Sequence, residues 1–233
     1  MKYADNPHLY IFTGHFGSGK TEIAVNFAMD LKRTKPDAKV ALIDMDIINP
    51  FFRSADAKNA LESAGIICET MLYANSNVDA PALTGRMGYL INDPSMYVIL
   101  DIGGDDLGAR AVGYYADAIN AREHTLFFVM NPFRPFTSTE DLALKIFCEV
   151  QEASQVQIDA LVDNTNLLRL TTPADLASGR ASVDNFAAKY GLPVAFHAIM
   201  KNSPEIISYA KSSYDNDKLL LLDEYVTLIF GRD

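Results

Sequence analysis

The stretch TGHFGSGKT, residues Thr13–Thr21, decides which fold this sequence predicts. Its pattern, Gly14-x-x-x-x-Gly19-Lys20-Thr21, follows an apolar run and opens an amphipathic helical pattern, which is the context of a phosphate-binding loop. Glycines let successive backbone N–H groups curl around an anion, and the start of the following helix adds positive potential. Lys20 suits the β- and γ-phosphates, and the Thr21 hydroxyl suits Mg²⁺. The residues predicted to bind nucleotide here are Gly14, His15, Phe16, Gly17, Ser18, Gly19, Lys20 and Thr21.

Composition and charge exclude several classes of function. The net charge of the 233 residues is −10, and an acidic chain is a poor general binder of nucleic acid or anionic membranes, which need clustered Lys and Arg. No run of apolar residues is long enough to span a bilayer, and the N-terminus lacks the features of a secretory signal. We therefore expect a cytoplasmic protein with neither nucleic acid nor membrane as its main partner. Cys68 and Cys148 have apolar neighbours in the sequence and are expected to be buried, reduced thiols.

Short apolar runs alternate with longer helical patterns along the chain. The runs predicted as strands are Leu9–Thr13, Val40–Asp44, Ile66–Glu69, Tyr97–Asp101, Thr125–Met130, Ala160–Asp163 and Val194–Ile199. The segments predicted as helices are Lys20–Lys32, Ser54–Ala64, Ala80–Ile91, Leu107–Asn120, Ser138–Ala153 and Ala174–Tyr190. This succession predicts an α/β P-loop fold, a mostly parallel central sheet of about seven strands with helices on both faces.

Three further features complete the predicted organisation. No linker or change of composition divides the chain, so we expect one domain over residues 1–233. Residues 137–140 (Thr-Ser-Thr-Glu) have the pattern of a capping box. The tail is less defined, because Leu219–Leu222 is only an apolar run and Glu224–Phe230 is compatible with a final helix.

Acidic residues follow two of the predicted strands. Asp44 and Asp46 come at the end of the second strand, and Asp101 ends the fourth strand, three residues before Gly104. Carboxylates at the C-terminal ends of parallel strands are where an open sheet places its ligand chemistry. Asp101 suits Mg²⁺, and Gly104 lets a backbone N–H approach the γ-phosphate. Asp44 is compatible with a functional role or with an ordinary turn.

In order and spacing, the loop, Asp44-Met45-Asp46 and Asp101-x-x-Gly104 resemble the MinD/ParA/Mrp branch of P-loop ATPases. The resemblance implies bound ATP, with Mg²⁺ held by Thr21, Asp46 and Asp101. It implies that Asp46 orients the attacking water and that Lys20 stabilises the transferred phosphate. It also suggests that Asn164 contacts adenine, although an ordinary asparagine at a strand end would look the same.

His15 departs from the family pattern, which has a lysine at this place, and Phe16 replaces a glycine. The family's lysine reaches the partner subunit's nucleotide across a face-to-face dimer. The imidazole is shorter and changes its charge near neutral pH. His15 is therefore either a weaker, pH-sensitive contact across an ATP-dependent homodimer or a loop residue that faces solvent.

Three functions are compatible with these features, and the least specific is a nucleotide-sensing scaffold without hydrolysis, which the departure at His15 leaves open. The first is a slow, Mg²⁺-dependent ATPase that acts as a switch for an unidentified protein partner, through aromatic and arginine-containing loops at Asn49–Arg53 and Asn131–Phe136. The same phenylalanines would otherwise fill the core. The second function is an ATP-dependent small-molecule enzyme of the dethiobiotin synthetase or cobyrinate amidase type. The sequence lacks an obvious second substrate site, which favours the switch.

Overall fold

Eight strands form a single sheet in the computed structural model, which describes residues 3–46, 57–70, 85–103 and 112–225. The strands are β1 (Leu9–Thr13), β2 (Val40–Met45), β3 (Ile67–Thr70), β4 (Tyr97–Ile102), β5 (His124–Met130), β6 (Ala160–Asp163), β7 (Val194–Met200) and β8 (Leu219–Leu222). Their order is β3-β2-β4-β1-β5-β6-β7-β8, and every neighbouring pair is parallel. The predicted α/β fold with a parallel sheet is confirmed.

Helices connect the strands, as parallel pairing requires. They are α1 (Lys20–Thr34), α2 (Lys58–Ser63), α3 (Gly85–Asn92), α4 (Ala116–Asn120), α5 (Glu140–Ser154), α6 (Pro173–Tyr190) and α7 (Pro204–Ser213). Short 3₁₀ helices span Pro135–Thr137 and Asn216–Lys218. Within the described ranges, no helix combines the length and apolarity that crossing a bilayer would need.

Successive residues of a strand belong alternately to two separate hydrophobic cores. On β1, Leu9 and Ile11 belong to one core together with residues of α3, α5 and α6. Tyr10 and Phe12 belong to the other core, with Phe27 of α1 and Leu61 of α2. Because side chains alternate across a strand, the two cores lie on opposite faces of the sheet. Helices therefore cover both faces, as expected.

The strand predictions hold to within one residue at each end, whereas two elements near the C-terminus were not predicted. The apolar run at residues 219–222 is the edge strand β8, which pairs with β7. The helix α7 has a local signal that was overlooked: Ser203 caps it by accepting from the N–H of Ile206, and Pro204 stands in its first turn. The predicted helix starts at Ser54, Ala80 and Leu107 lie outside the described residues, and so does most of the predicted helix at Glu224–Phe230.

Two local predictions are wrong. No capping box starts at Thr137, because this residue ends a 3₁₀ turn and Thr139 caps α5 by accepting from Leu142. The capping box of the described chain is in α6, where Thr172 and Asp175 bond each other reciprocally. The cysteines are free but not both buried, since Cys148 is exposed and Cys68 is half-buried. Burial raises the pKa of the Cys68 thiol to about 11. That 1–233 forms one domain stays a prediction.

Candidate nucleotide-binding site

The phosphate loop leaves the centre of the sheet. It connects the C-terminal end of β1 to α1, and β1 lies between β4 and β5. In a parallel sheet all C-terminal strand ends meet at one edge, so the ends of β2, β4, β5 and β6 surround the loop. The polar residues at these four ends are Asp44, Asp101, Asn131 and Asn164.

Two glycines of the loop stand where no larger residue fits. Gly14 has φ +140°, and a Cβ built there would lie 2.5 Å from the carbonyl oxygen of Val129. Gly19 has φ +88° and caps α1, and its Cβ would lie 2.2 Å from the amide nitrogen of Asn164. Both distances are far below contact distance, so the backbone of the loop can pass close to its neighbours only because side chains are absent.

The side chain of Lys20 is held against the phosphate loop by a backbone carbonyl of that loop. It is 6% exposed although it carries a charge, and its Nζ donates to the carbonyl oxygen of His15 at 3.1 Å. The N–H of Ser18 donates to the same oxygen at 3.1 Å. The ammonium group, the loop amides and the start of α1 thus lie together, which is the electrostatic arrangement that binds phosphate.

Asn164 is hydrogen-bonded to the backbone of the phosphate loop. It is buried, its amide nitrogen donates to the carbonyl oxygen of Ser18 at 2.6 Å, and its backbone N–H donates to Met130 at 2.8 Å. The hydrogen bond to Ser18 joins residues that are 146 positions apart in the sequence. Asn164 therefore connects the end of β6 to the phosphate loop.

Asn131 has a matching role at the end of β5 that was not predicted, because the sequence placed it only at the start of a loop. It is fully buried and its Oδ1 accepts from the N–H of Phe133 at 3.1 Å. Its Nδ2 donates to the carbonyl oxygen of Asn166 at 3.0 Å, and its own carbonyl accepts from the Thr137 hydroxyl at 2.5 Å. A polar residue directly after a buried parallel strand was the signal that could have identified it.

The carboxylates of Asp44 and Asp101 are neighbours across β2 and β4. The two residues are register partners, and each is 1% exposed. Burial, and next the charge of Asp44, raise the pKa of Asp101 well above its usual range, while Thr21 and Lys20 act in the opposite direction. The backbone N–H of Asp46 donates to Asp44 Oδ1 at 3.0 Å. Asp44 is thus buried beside Asp101, and its carboxylate also shapes the turn to Asp46.

These residues fit Mg²⁺. Two buried carboxylates side by side repel each other, and a divalent cation removes that repulsion. Mg²⁺ prefers oxygen ligands and is usually bound by one or two carboxylates together with substrate phosphates. Thr21, Asp46 and Asp101, the predicted ligands, all belong to this edge of the sheet. Among the described residues, no three His, Cys, Asp or Glu side chains form a group that could hold a metal ion, so the fit requires the Thr21 hydroxyl and the phosphates to complete the ligands of two carboxylates.

His15 makes its contacts within the loop region. Its ring stacks on Phe136, with 4.1 Å between centroids and 22° between planes, and its Nδ1 lies 2.8 Å from the carbonyl oxygen of Phe16. Phe16 and Phe136 are about half exposed, at 54% and 53%. The alternative in which the phenylalanine at 136 fills the core is therefore wrong. Gly104 and the loop at 49–53 lie outside the described residues.

No family model and no curated protein matches this chain. Solved structures match in fold. Cell division protein FtsY from Thermotoga maritima is 16% identical with a TM-score of 0.53, over 84% of this chain and 63% of that chain. Signal recognition particle 54 kDa protein from Aeropyrum pernix, in complex with GDP, is 20% identical with a TM-score of 0.56, over 84% and 42%. FlhF complexed with GTP and Mg²⁺ is 18% identical with a TM-score of 0.52, over 83% and 66%.

The chain therefore spans 42% to 66% of the length of these three proteins. At identities of 16% to 20%, the likeness shows the fold.

These matches correct the sequence analysis in two respects. The resemblance pointed to MinD/ParA/Mrp-like ATPases, whereas the matched folds are those of FtsY, the signal recognition particle protein and FlhF. The resemblance also implied ATP, whereas the nucleotides bound in two of these structures are GDP and GTP. The adenine contact of Asn164, the ATP-dependent homodimer and the contact of His15 across it depended on the resemblance and are withdrawn with it.

Proposed function

We propose that this chain binds a guanine nucleotide with Mg²⁺ at the C-terminal edge of the sheet, hydrolyses the triphosphate slowly and acts as a switch for a protein partner. The observation that carries the proposal is the phosphate loop, where Lys20, the glycine backbone and the start of α1 come together. The guanine base is supported by GDP and GTP in proteins of the same fold.

The residues of the site have distinct roles in this proposal. The loop amides and Lys20 stabilise the negative charge that develops on the transferred phosphoryl group, because catalysis of phosphoryl transfer is mainly positioning and electrostatics. Asp46 orients the water that attacks in line. Thr21, Asp101 and Asp46 would hold Mg²⁺, which neutralises phosphate charge when it is bound. Asn164 positions the loop through Ser18.

The switch function requires that a partner contacts a surface near the nucleotide. Phe136 is 53% exposed and stacks on His15 of the phosphate loop. A partner on the loop at Asn131–Phe136 would therefore contact residues that border the phosphate site. A location in the cytoplasm stays a prediction.

Calorimetry with GTP, GDP and ATP in the presence of Mg²⁺ tests nucleotide binding. We expect GTP and GDP to bind and ATP to bind more weakly. Lys20→Ala should weaken GTP binding by roughly 10- to 100-fold, because a hydrogen bond to a charged group contributes about 1.5–3 kcal/mol. Lys211→Ala on the exposed end of α7 is the matched control and should bind GTP like the wild type. Absence of binding, a preference for ATP, or an unchanged Lys20→Ala variant would contradict the proposal.

A further inference from the structure

The connection between β6 and α6 exposes three leucines in four residues. We call this segment, Leu167–Leu170, the leucine loop. Leu167 is 37% exposed, Leu168 is 39% exposed and Leu170 is 80% exposed. Among the large hydrophobic residues that the structure describes, Leu170 has the highest exposed fraction. Single exposed leucines need no explanation, but an exposed cluster of them marks an interaction site.

The leucine loop is held in one conformation by side chains from its flanks. The hydroxyl oxygen of Thr171 accepts from the N–H of Leu167 at 2.8 Å and donates to the carbonyl of Leu168 at 2.7 Å. Asn202, after β7, donates to the same carbonyl at 2.5 Å. The leucines are therefore presented by an ordered backbone, which lowers the entropy that a partner must remove on binding.

Leu168 adopts a backbone conformation that leucine avoids. Its φ is +56°, in the left-handed region that glycine and asparagine tolerate and branched side chains disfavour. Strain of this kind persists only where the surroundings impose it, and it clusters at functional sites. A glycine would relieve the strain but would remove one of the exposed leucines. The apolar surface is thus retained although the backbone opposes it.

Arg169 places a positive charge among the leucines. Its side chain is exposed, and no acidic residue of the described ranges pairs with it. Arginine surrounded by apolar contacts is typical of the centre of a protein interface. Anionic membranes instead attract clusters of several basic residues, and here the charge is single in a chain of net charge −10. The chemistry therefore fits a protein surface that presents apolar side chains around a carboxylate.

The leucine loop is connected to the phosphate loop through hydrogen bonds. Asn166 accepts from the N–H of Leu168 through its Oδ1 at 3.3 Å, and its carbonyl accepts from Asn131. Two residues earlier, Asn164 donates to Ser18 of the phosphate loop. The same short segment therefore begins at the nucleotide site and ends at the exposed leucines.

We infer that the leucine loop is the docking surface for the protein partner, which contacts Leu168 and Leu170 with apolar side chains and Arg169 with a carboxylate. The inference deepens the proposed switch, because it extends the partner surface from the loop at Asn131–Phe136 to the leucine loop, which Asn131 reaches through its hydrogen bond to Asn166. It rests on the proposed function only for its coupling to nucleotide.

Photo-crosslinking from two exposed positions tests the surface. The full-length protein carries p-benzoylphenylalanine in place of Leu170 or, as the matched control, in place of Tyr89, which is 68% exposed on α3. We expect a discrete crosslinked protein from position 170 in cells and none from position 89. The crosslinked protein is then purified and titrated with the wild type, Leu170→Ser and Arg169→Glu. Each variant should bind it at least about tenfold more weakly, which is the loss that interface anchors cause. Replacing an acidic residue that neighbours the crosslinked position of the partner by lysine should restore binding of Arg169→Glu.

Several results would overturn the inference. In the crosslinking experiment, these are the absence of a crosslinked protein at position 170 and a crosslink to a second copy of this chain. With phosphatidylglycerol vesicles, it is sedimentation of the wild type but not of Leu170→Ser. With the purified partner, it is unchanged binding by Arg169→Glu. GTP calorimetry on Leu170→Ser and Arg169→Glu separates the two proposals, because both substitutions lie outside the phosphate loop. Docking without GTP binding would refute only the proposed function. GTP binding without docking would refute only this inference.

Discussion

At the scale of single residues, Gly17 and Gly19 share a strained backbone conformation, but only Gly19 stands where a side chain would also collide with a neighbour. Both have positive φ, +76° and +88°. A Cβ at Gly17 would meet nothing within 4 Å, whereas a Cβ at Gly19 would lie 2.2 Å from Nδ2 of Asn164. The same substitution therefore tests two different requirements of one loop.

We expect Gly17→Ala to destabilise the protein by roughly 1–2 kcal/mol, which is the strain of a left-handed residue with a side chain. Gly19→Ala adds the collision with Asn164, which must move and release Ser18. Its loss of stability should therefore exceed that of Gly17→Ala by about 1–3 kcal/mol, the cost of leaving a buried polar group without its partner. Urea unfolding of the two variants measures the difference. Equal losses would mean that Asn164 does not hold the loop.

At the scale of elements, two long helices end in the same backbone conformation with different residues. Gln155 follows α5 with φ +55°, and Gly191 follows α6 with φ +69°. Glycine is the usual residue at this position, because it adopts the left-handed conformation without penalty from a Cβ. Only α6 therefore has the favourable residue at its C-terminal end.

Exchanging the residues tests this asymmetry. We expect Gln155→Gly to raise the free energy of unfolding by about 0.5–1 kcal/mol and Gly191→Gln to lower it by about 1–2 kcal/mol. Thermal unfolding of the two variants and the wild type measures both effects. A Gln155→Gly variant less stable than the wild type would show that the glutamine side chain makes a contact more important than the relief of strain.

At the scale of the whole molecule, one asparagine joins the end of the chain's last described strand to the helix of the phosphate loop. Asn26 lies in α1 and is 4% exposed. Its Nδ2 donates to the carbonyl of Asp223 at 2.9 Å, and its Oδ1 accepts from the N–H of Asp223 at 2.8 Å. The N–H of Tyr225 donates to Glu22 on the same helix at 2.8 Å. The segment after β8 is thus attached to α1 at two points.

We expect Asn26→Ala to destabilise the protein by about 1–3 kcal/mol, because it removes the two partly buried hydrogen bonds between the Asn26 side chain and the backbone of Asp223. Asn92→Ala is the matched control, since the Asn92 side chain donates only to Gly88 on an exposed helix surface. It should change stability by less than about 0.5 kcal/mol. Chemical denaturation measures both variants. Equal effects would mean that the attachment of β8 to α1 contributes little.

Features formed by residues that are close in the sequence could be predicted, whereas contacts between residues far apart in the sequence could not. The phosphate loop, β1 and α1 are contiguous, and their glycine and apolar patterns act on the local backbone, so their positions were predicted correctly. The contacts of two long-range asparagines were not predicted. Asn164 reaches Ser18 across 146 positions and Asn131 reaches Asn166 across 35, and no local pattern encodes such pairs.

The sequence by itself determined the P-loop α/β fold and the edge of the sheet that carries the glycine-rich loop, because glycine conformation and strand periodicity are local properties. It did not determine the base of the nucleotide, since a phosphate loop contacts phosphates through backbone N–H groups and a lysine and has the same pattern for either purine. Only the tertiary structure decided that Asn164 supports the loop, that Asp44 is buried beside Asp101 and that β8 completes the sheet. Each of these depends on which strand ends become neighbours, and that follows from packing of the whole sheet.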